Sequence, residues 1–213
     1  RAARSYPRPV HLLDRLAADP SRAAVLLDVD GVLAPIVPRP EDARVPEDTR
    51  AELHRLAGRY ALVACVSGRA GDDARNVVGV AELTYVGNHG LELDPEAAEW
   101  AERLEAFLAT VTWPRVEDKG LTASLHYRDA PDENEARREL DAIGERARDA
   151  GFVARYGRKV LELVPPIAAN KGTAITQLLE RRGLERALYA GDDSTDLDAF
   201  AAIAALELGI RVA

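Results

Sequence analysis

Apolar runs that end in small polar residues recur along this chain, and amphipathic segments separate them. The run at 25–27 is apolar at consecutive positions, a pattern typical of a strand that is buried on both faces of a parallel sheet. The alternation of such runs with helical patterns indicates an α/β fold with a doubly wound parallel sheet. Further strands are predicted over 60–66, 83–86 and 186–190, and helices over 10–18, 47–57 and 171–182.

The pattern changes between residues 94 and 164. A charged amphipathic helix over 95–111 is followed by a strand over 121–127, whose alternation predicts that one face is exposed. A polar helix and a hairpin around Gly157 and Arg158 complete the segment. This set predicts an open antiparallel sheet with helices on one side, as an α+β cap domain inserted into the core. We therefore assign residues 1–93 and 165–213 to the core and residues 94–164 to the cap.

Composition and charge narrow the possible function classes. Hydrophobic residues make up 47% of the 213 residues, enough for a packed core, and the formal net charge of -8 argues against a nucleic-acid partner. The chain has no apolar run of the ~20 residues that a membrane span needs, and its start lacks the apolar centre of a signal peptide. We expect a monomeric cytoplasmic protein without a membrane partner. The single cysteine, Cys65, lies in the run LVACV and is predicted to be a buried thiol.

The first candidate for chemistry follows the run at 25–27. Asp28 and Asp30 are two residues apart, so both side chains project to the same side of a strand, and Gly31 lets the chain turn sharply. Two carboxylates this close repel each other unless a cation lies between them, and Mg2+ suits a site of few carboxylates with room for water and phosphate. The alternative is a solvated turn, because Asp and Gly are ordinary turn residues.

Four later segments also place small polar or charged residues where a strand ends or a helix starts. They are SGR at 67–69, GNHG at 87–90, NKG at 170–172 and GDDSTD at 191–196. A serine hydroxyl with free backbone N–H groups can hold a phosphate oxygen, and a lysine at a helix N-terminus favours an anionic partner. Structural alternatives stay open for each segment: an N-cap serine, a turn at His89, a solvated Lys171, and capping by Asp193 or Ser194.

The order and content of DVDG, SGR, NKG and GDDSTD resemble the phosphatases of the haloacid dehalogenase superfamily, whose fold binds ligands beyond the carboxyl ends of parallel strands. The resemblance implies that Asp28 is the nucleophile that forms an aspartyl phosphate, and that Asp30 is the general acid and then the general base. It also implies that Ser67 and Lys171 bind the phosphoryl oxygens. For Mg2+ it implies direct ligands and residues that hold the ion's waters, namely Asp28, the carbonyl of Asp30, Asp192, Asp193 and Asp196.

Within that superfamily the chain is most similar to the trehalose-6-phosphate phosphatases. The similarity rests on VDGVLAPI at 29–36, YVGNHGLE at 85–92, EDKGLTASLHYR at 117–128 and GRKVLELVPP at 157–166, beside the shared motifs. It implies cleavage of trehalose 6-phosphate to trehalose and phosphate, with the cap recognising the disaccharide. For the cap residues, a surface ion-pair network stays open as the alternative. The residues to which we assign substrate binding are Arg69, Asn88, His89, Glu117, Lys119, Arg128, Arg158 and Glu162.

The chain departs from the family pattern at three places. Val32 stands where a threonine is usual, Leu197 stands where Glu is frequent, and the chain ends at 210–212 within a predicted strand, which would leave an unprotected sheet edge. Two other functions stay open. One is a phosphatase for another sugar phosphate, such as sucrose phosphate, because the core motifs do not specify the sugar. The other is a non-catalytic module that senses a sugar phosphate for a partner synthase.

Overall fold

The computed structural model describes residues 9–213, with side chains from Leu12 onward. The first eight residues, which include most of the segment compared with a signal peptide, lie outside the described residues. Within the described part, no helix is both long enough and apolar enough to cross a membrane. The chain divides into two compact units. One extends to Gly90 and resumes at Asn170, and the other is the insertion Leu91–Ala169, slightly wider than the predicted cap.

The secondary structure of residues 9–213 consists mainly of short strands and helices of moderate length. In chain order the strands are β1 (Ala24–Leu27), β2 (Leu62–Val66), β3 (Thr84–Val86), β4 (Val116–Asp118), β5 (Ala123–His126), β6 (Val153–Gly157), β7 (Val160–Val164), β8 (Arg186–Ala190) and β9 (Leu208–Val212). The α-helices are α1 (Pro9–Ala18), α2 (Glu47–Ala57), α3 (Gly71–Val78), α4 (Ala97–Leu108), α5 (Glu133–Asp149), α6 (Lys171–Glu180) and α7 (Leu197–Ala204).

Parallel strands form the sheet of the first unit, in the order β3-β2-β1-β8-β9. The central strand is β1, in which Leu27 aligns with Cys65 of β2 on one side and with Ala190 of β8 on the other. All residues of β1 are buried, and Val25 and Leu27 share an apolar cluster with Leu53 of α2. The predicted parallel α/β fold is thus confirmed. The strand predicted at the end of the chain is β9, which occupies one edge of the sheet.

The single cysteine lies within β2 and is completely buried. Burial, together with the nearby charge of Asp28, raises the pKa of the Cys65 thiol to about 12. A thiol with that pKa stays protonated near neutral pH and is a poor nucleophile. The prediction of a buried thiol is therefore confirmed.

The insertion forms an antiparallel sheet of its own, in the order β4-β5-β7-β6. Its core joins Leu104 of α4 and Leu140 of α5 to Leu125 and Leu161 of the sheet. The strand predicted over 121–127 is shorter, and its alternation is present with one departure: His126 is half-buried, whereas Ser124 on the same face is buried. β5 is an inner strand flanked by β4 and β7, so side chains of both neighbours reduce its exposure.

The two ends of the insertion leave the first unit side by side. Gly90 has a φ of +102°, and a Cβ at this position would lie 2.8 Å from the carbonyl oxygen of Asn170. Only glycine combines that backbone conformation with so close an approach of another backbone segment. The chain therefore leaves and re-enters the first unit at one point.

Candidate functional site

Asp28 follows the carboxyl end of β1 and Asp192 follows that of β8, and the pairing of these two strands brings the two carboxylates together. The backbone N–H of Asp28 donates to the carbonyl of Ala190 at 2.9 Å, so the residues that follow both strands lie next to each other. Gly31 turns the chain away with a φ of +82°, and a Cβ here would lie 2.0 Å from a carboxylate oxygen of Asp192. Glycine at this position therefore allows the Asp192 carboxylate to lie against the turn that follows β1.

Lys171 connects this edge to the start of α6. Its Nζ donates to Asp28 Oδ2 at 2.6 Å and to Asp196 Oδ1 at 2.7 Å, and its side chain is 2% exposed. The helix begins with a capping box in which Asn170 and Thr173 bond each other's backbone, and this fixes the first turn that carries the lysine. The alternative of a solvated Lys171 is excluded, because the side chain is buried between two carboxylates.

Asp196 is completely buried and saturated with hydrogen-bond donors. Its Oδ1 accepts from Lys171 and, at 2.5 Å, from the Tyr189 hydroxyl, and its Oδ2 accepts from the Asp193 backbone at 2.9 Å. Burial raises the pKa of this carboxyl, but the hydrogen bonds from Lys171 and Tyr189 outweigh burial and hold the pKa below its usual value. Asp196 therefore acts as an anionic anchor for the lysine in this structure.

Asp28 is bound at both carboxylate oxygens and retains free lone pairs. Oδ1 accepts from the Val29 backbone N–H at 2.7 Å, and Oδ2 accepts from Lys171. Burial raises the pKa of Asp28, while the charge and hydrogen bond of Lys171 act in the opposite direction. The side chain is held in one orientation at the strand end, as a nucleophile requires.

The acidic residues at this edge fit a hard divalent cation. One carboxylate oxygen each from Asp28, Asp192 and Asp196 lies within 4.8 Å of the other two. Oxygen donors at this spacing suit Mg2+. Since both oxygens of Asp196 are already engaged, Asp28 and the exposed Asp192 are the side chains best able to coordinate an ion directly. The side chain of Asp193 instead caps the turn 194–196, accepting from the backbone N–H and hydroxyl of Ser194.

Asp30 forms a bidentate ion pair with Arg69. The guanidinium donates to both carboxylate oxygens, at 2.7 and 2.8 Å, and also to Asp73 at 2.7 Å and to the carbonyl of Pro40 at 3.2 Å. These hydrogen bonds raise the pKa of Arg69 further, so the group is fully charged. In this structure Arg69, which we assigned to substrate binding, holds the predicted general acid.

The segments 67–69 and 88–90 are bonded to each other. His89 N donates to the Ser67 carbonyl at 2.9 Å and Asn88 N donates to the Arg69 carbonyl at 2.7 Å. Asn88 and His89 have φ values of +50° and +54°, and a Cβ at Gly68 would lie 2.7 Å from the His89 ring. Ser67 and Asn88 are buried. The turn that contains His89 therefore fixes the position of SGR at the sheet edge.

The cap sheet aligns a row of polar side chains across its strands. Glu117 pairs with Ser124, Ser124 with Glu162, and Glu162 with Arg155. Residues of β5 and β7 that alternate with this row belong to the apolar core with the helices, so the row faces the other side of the sheet. Arg155 donates to Glu162 at 2.9 Å. This face combines fixed donors and acceptors, which suits a polyhydroxylated ligand.

The remaining cap residues lie around that row or in turns. Glu117 contacts His126 Nε2 at 2.8 Å and Lys119 Nζ at 3.8 Å. Arg128 follows β5 and Arg158 lies between β6 and β7; both are exposed, and neither makes a side-chain hydrogen bond or ion pair among the described residues. The sequence interpretation did not single out Tyr189, Ser124, His126 or Arg155. Ser124 and His126 both stood within the motif quoted at 117–128, but the cross-strand register that aligns Ser124 and Arg155 with Glu162 was missing.

Comparisons with known proteins agree on one family. The family model described as trehalose-phosphatase matches residues 26–212. A trehalose-phosphate phosphatase of Mycobacterium avium is 36% identical over 208 residues, which cover 84% of this chain and 51% of that protein. An uncharacterised glycosyl hydrolase of Mycobacterium tuberculosis is 36% identical over 214 residues, which cover 90% of this chain and 16% of that protein. The chain thus spans only part of the length of these relatives.

A solved structure described as a trehalose-6-phosphate phosphatase related protein shares the fold. It aligns with a TM-score of 0.67 and 24% sequence identity, over 89% of this chain and 91% of that chain.

Proposed function

Because the chain belongs to the trehalose-phosphatase family, we propose that it hydrolyses trehalose 6-phosphate to trehalose and phosphate. The observation that carries the proposal is the oriented pair of Asp28 and Lys171 at the carboxyl end of the central strand, with Asp192 beside it. An oriented carboxylate can attack phosphorus, and a neighbouring ammonium can bind the phosphoryl oxygens.

The proposed reaction takes place in two steps. Asp28 attacks phosphorus, the bond from phosphorus to the sugar oxygen breaks, and Asp30 gives its proton to the departing oxygen. Asp30 then removes a proton from water, the water oxygen attacks phosphorus, and phosphate leaves while the Asp28 carboxylate is restored. The ion pair with Arg69 corresponds to the ionised form of Asp30, which takes up the proton from water in the second step. For the first step Asp30 carries a proton on one oxygen, and Arg69 retains a hydrogen bond to the other.

Mg2+ fits the donor set as a cofactor. Asp28, Asp192 and the backbone carbonyl of Asp30 would hold the ion, and Asp193 would act at most through water. When bound, the ion neutralises the charge on the transferring phosphoryl group. Gly31 contributes by leaving room for the Asp192 carboxylate.

We assign sugar recognition to the polar row of the cap sheet, with Arg128 and Arg158 as additional donors. Carboxylate and guanidinium groups can bind sugar hydroxyls in pairs. A different sugar phosphate is the second candidate, since the core residues bind only the phosphoryl group. The sensing module is disfavoured, because Asp28, Asp30, Lys171 and Asp192 are all present. What we propose here about substrates and partners extends to any longer protein that contains this chain.

The test measures phosphate release from trehalose 6-phosphate and glucose 6-phosphate, each with Mg2+ and with a chelator. We expect fast, Mg2+-dependent release from the disaccharide phosphate alone. Asp28→Asn should lower kcat at least about 1,000-fold, and Asp48→Asn on the exposed start of α2 is the matched control. Equal cleavage of the monosaccharide phosphate would overturn the choice of sugar, and an active Asp28→Asn variant would overturn the aspartyl-phosphate route.

A further inference from the structure

Tyr189 places a hydroxyl group next to the catalytic lysine from inside the sheet. The residue lies on β8, its side chain is completely buried, and its ring packs edge-on against Phe200 of α7 with centroids 5.5 Å apart. Packing alone would be satisfied by phenylalanine at this position. The hydroxyl instead lies 2.5 Å from Asp196 Oδ1, the same oxygen that accepts from Lys171 Nζ at 2.7 Å.

The shared oxygen determines how Lys171 divides its hydrogen bonds. An ammonium has three N–H donors, and the described residues offer Lys171 two acceptors, Asp28 and Asp196, which leaves one donor for a phosphoryl oxygen. The hydrogen bond from the Tyr189 hydroxyl stabilises part of the negative charge on Asp196 Oδ1. Without it, that oxygen would have Lys171 as its only donor and would attract the ammonium more strongly, away from Asp28.

We propose that Tyr189 is a positioning residue for Lys171. By sharing Asp196 Oδ1, its hydroxyl keeps the lysine balanced between the anchor carboxylate and the nucleophile. The expected effect of Tyr189 on turnover rests on the proposed phosphatase function. The expected energetic coupling between Tyr189 and Lys171 in unfolding does not.

The first test compares Tyr189→Phe with Tyr85→Phe. Both variants remove a hydroxyl with one hydrogen-bond acceptor, since Tyr85 on β3 donates to the Val80 carbonyl at 2.7 Å. We expect Tyr189→Phe to lower kcat about tenfold with KM for trehalose 6-phosphate within about twofold, because loss of the hydrogen bond to Asp196 displaces Lys171, which binds the transferring phosphoryl group. Tyr85→Phe should leave both constants unchanged. Equal kinetics in the two variants would overturn the proposal.

The second test asks whether Tyr189 acts through Lys171. In a Lys171→Met background, Tyr189→Phe should no longer change kcat, and urea unfolding of the wild type, both single variants and the double variant should show a coupling factor of about fivefold in the unfolding constant. Additive effects in unfolding would overturn the inference. If the wild-type protein releases no phosphate, the proposed function fails, and the unfolding cycle alone still decides the role of Tyr189.

Discussion

Apart from the hydrogen bonds of Lys171, the bidentate contact between Arg69 and Asp30 is the most informative feature at the level of individual residues. It was not predictable from SGR, because the spacing of the motif gives no partner for the arginine, and Asp30 lies 39 positions away. The residue types Asp28, Asp30, Lys171 and Asp192 were recognisable in sequence because their motifs follow strand ends. The role of Asp196 as anchor was not, since three aspartates crowd one turn and only the buried geometry distinguishes them.

Arg69→Lys keeps a positive charge but loses the planar fork that fixes Asp30. We expect kcat/KM, which covers the steps up to departure of the first leaving group, to fall about tenfold for trehalose 6-phosphate. For p-nitrophenyl phosphate, whose leaving group departs as an anion without a proton, it should change less than about twofold. Arg75→Lys on α3 is the control. Equal losses with both substrates would contradict the inference that Arg69 acts by orienting Asp30, the proposed proton donor.

At the level of elements, sequence patterns located the long helices and the buried strands but not β4. That strand has only three residues with an exposed, mixed pattern, and only its pairing with β5 identifies it. The contact between α6 and α7 was equally invisible, because it depends on the absence of a side chain at Gly172. A Cβ there would lie 2.4 Å from the carbonyl oxygen of Asp198.

Gly172→Ala should therefore force α6 and α7 apart. We expect a loss of about 1–3 kcal/mol in the free energy of unfolding, measured in urea, together with reduced activity because Lys171 is the preceding residue. Gly58→Ala is the matched control, since a Cβ there would meet its nearest atoms at 3.7 and 3.8 Å with an ordinary helical φ. That variant should be neutral or slightly more stable. A stable Gly172→Ala protein would show that the two helices tolerate separation.

On the scale of the whole molecule, the described residues of each unit build apolar clusters of their own, separate from those of the other unit. The change of pattern near residue 94 predicts an insertion from sequence alone. Its limits at Leu91 and Ala169 were not evident, because the flanking residues have no composition that distinguishes them from either unit.

Replacing Leu91–Ala169 by a short Gly-Ser linker should leave a folded first unit, since Gly90 and Asn170 are already in contact. We expect this protein to retain hydrolysis of p-nitrophenyl phosphate and to lose its preference for the disaccharide phosphate, because the cap carries the proposed sugar-binding row. Circular dichroism and the two kinetic assays check this. An unfolded product would show that the core depends on the insertion for stability.

The adjacency of Gly90 and Asn170 also bears on how the chain folds. The central strand β1 pairs with β8, which follows the whole insertion in sequence. If β1 and β8 paired before the insertion folded, the insertion would be a long flexible loop, and closing that loop would cost conformational entropy. An insertion that folds on its own brings its two ends together and removes most of that entropic barrier. We therefore expect the cap to fold first and β8 to pair second, so that a mutation that slows folding of the cap also slows completion of the catalytic edge.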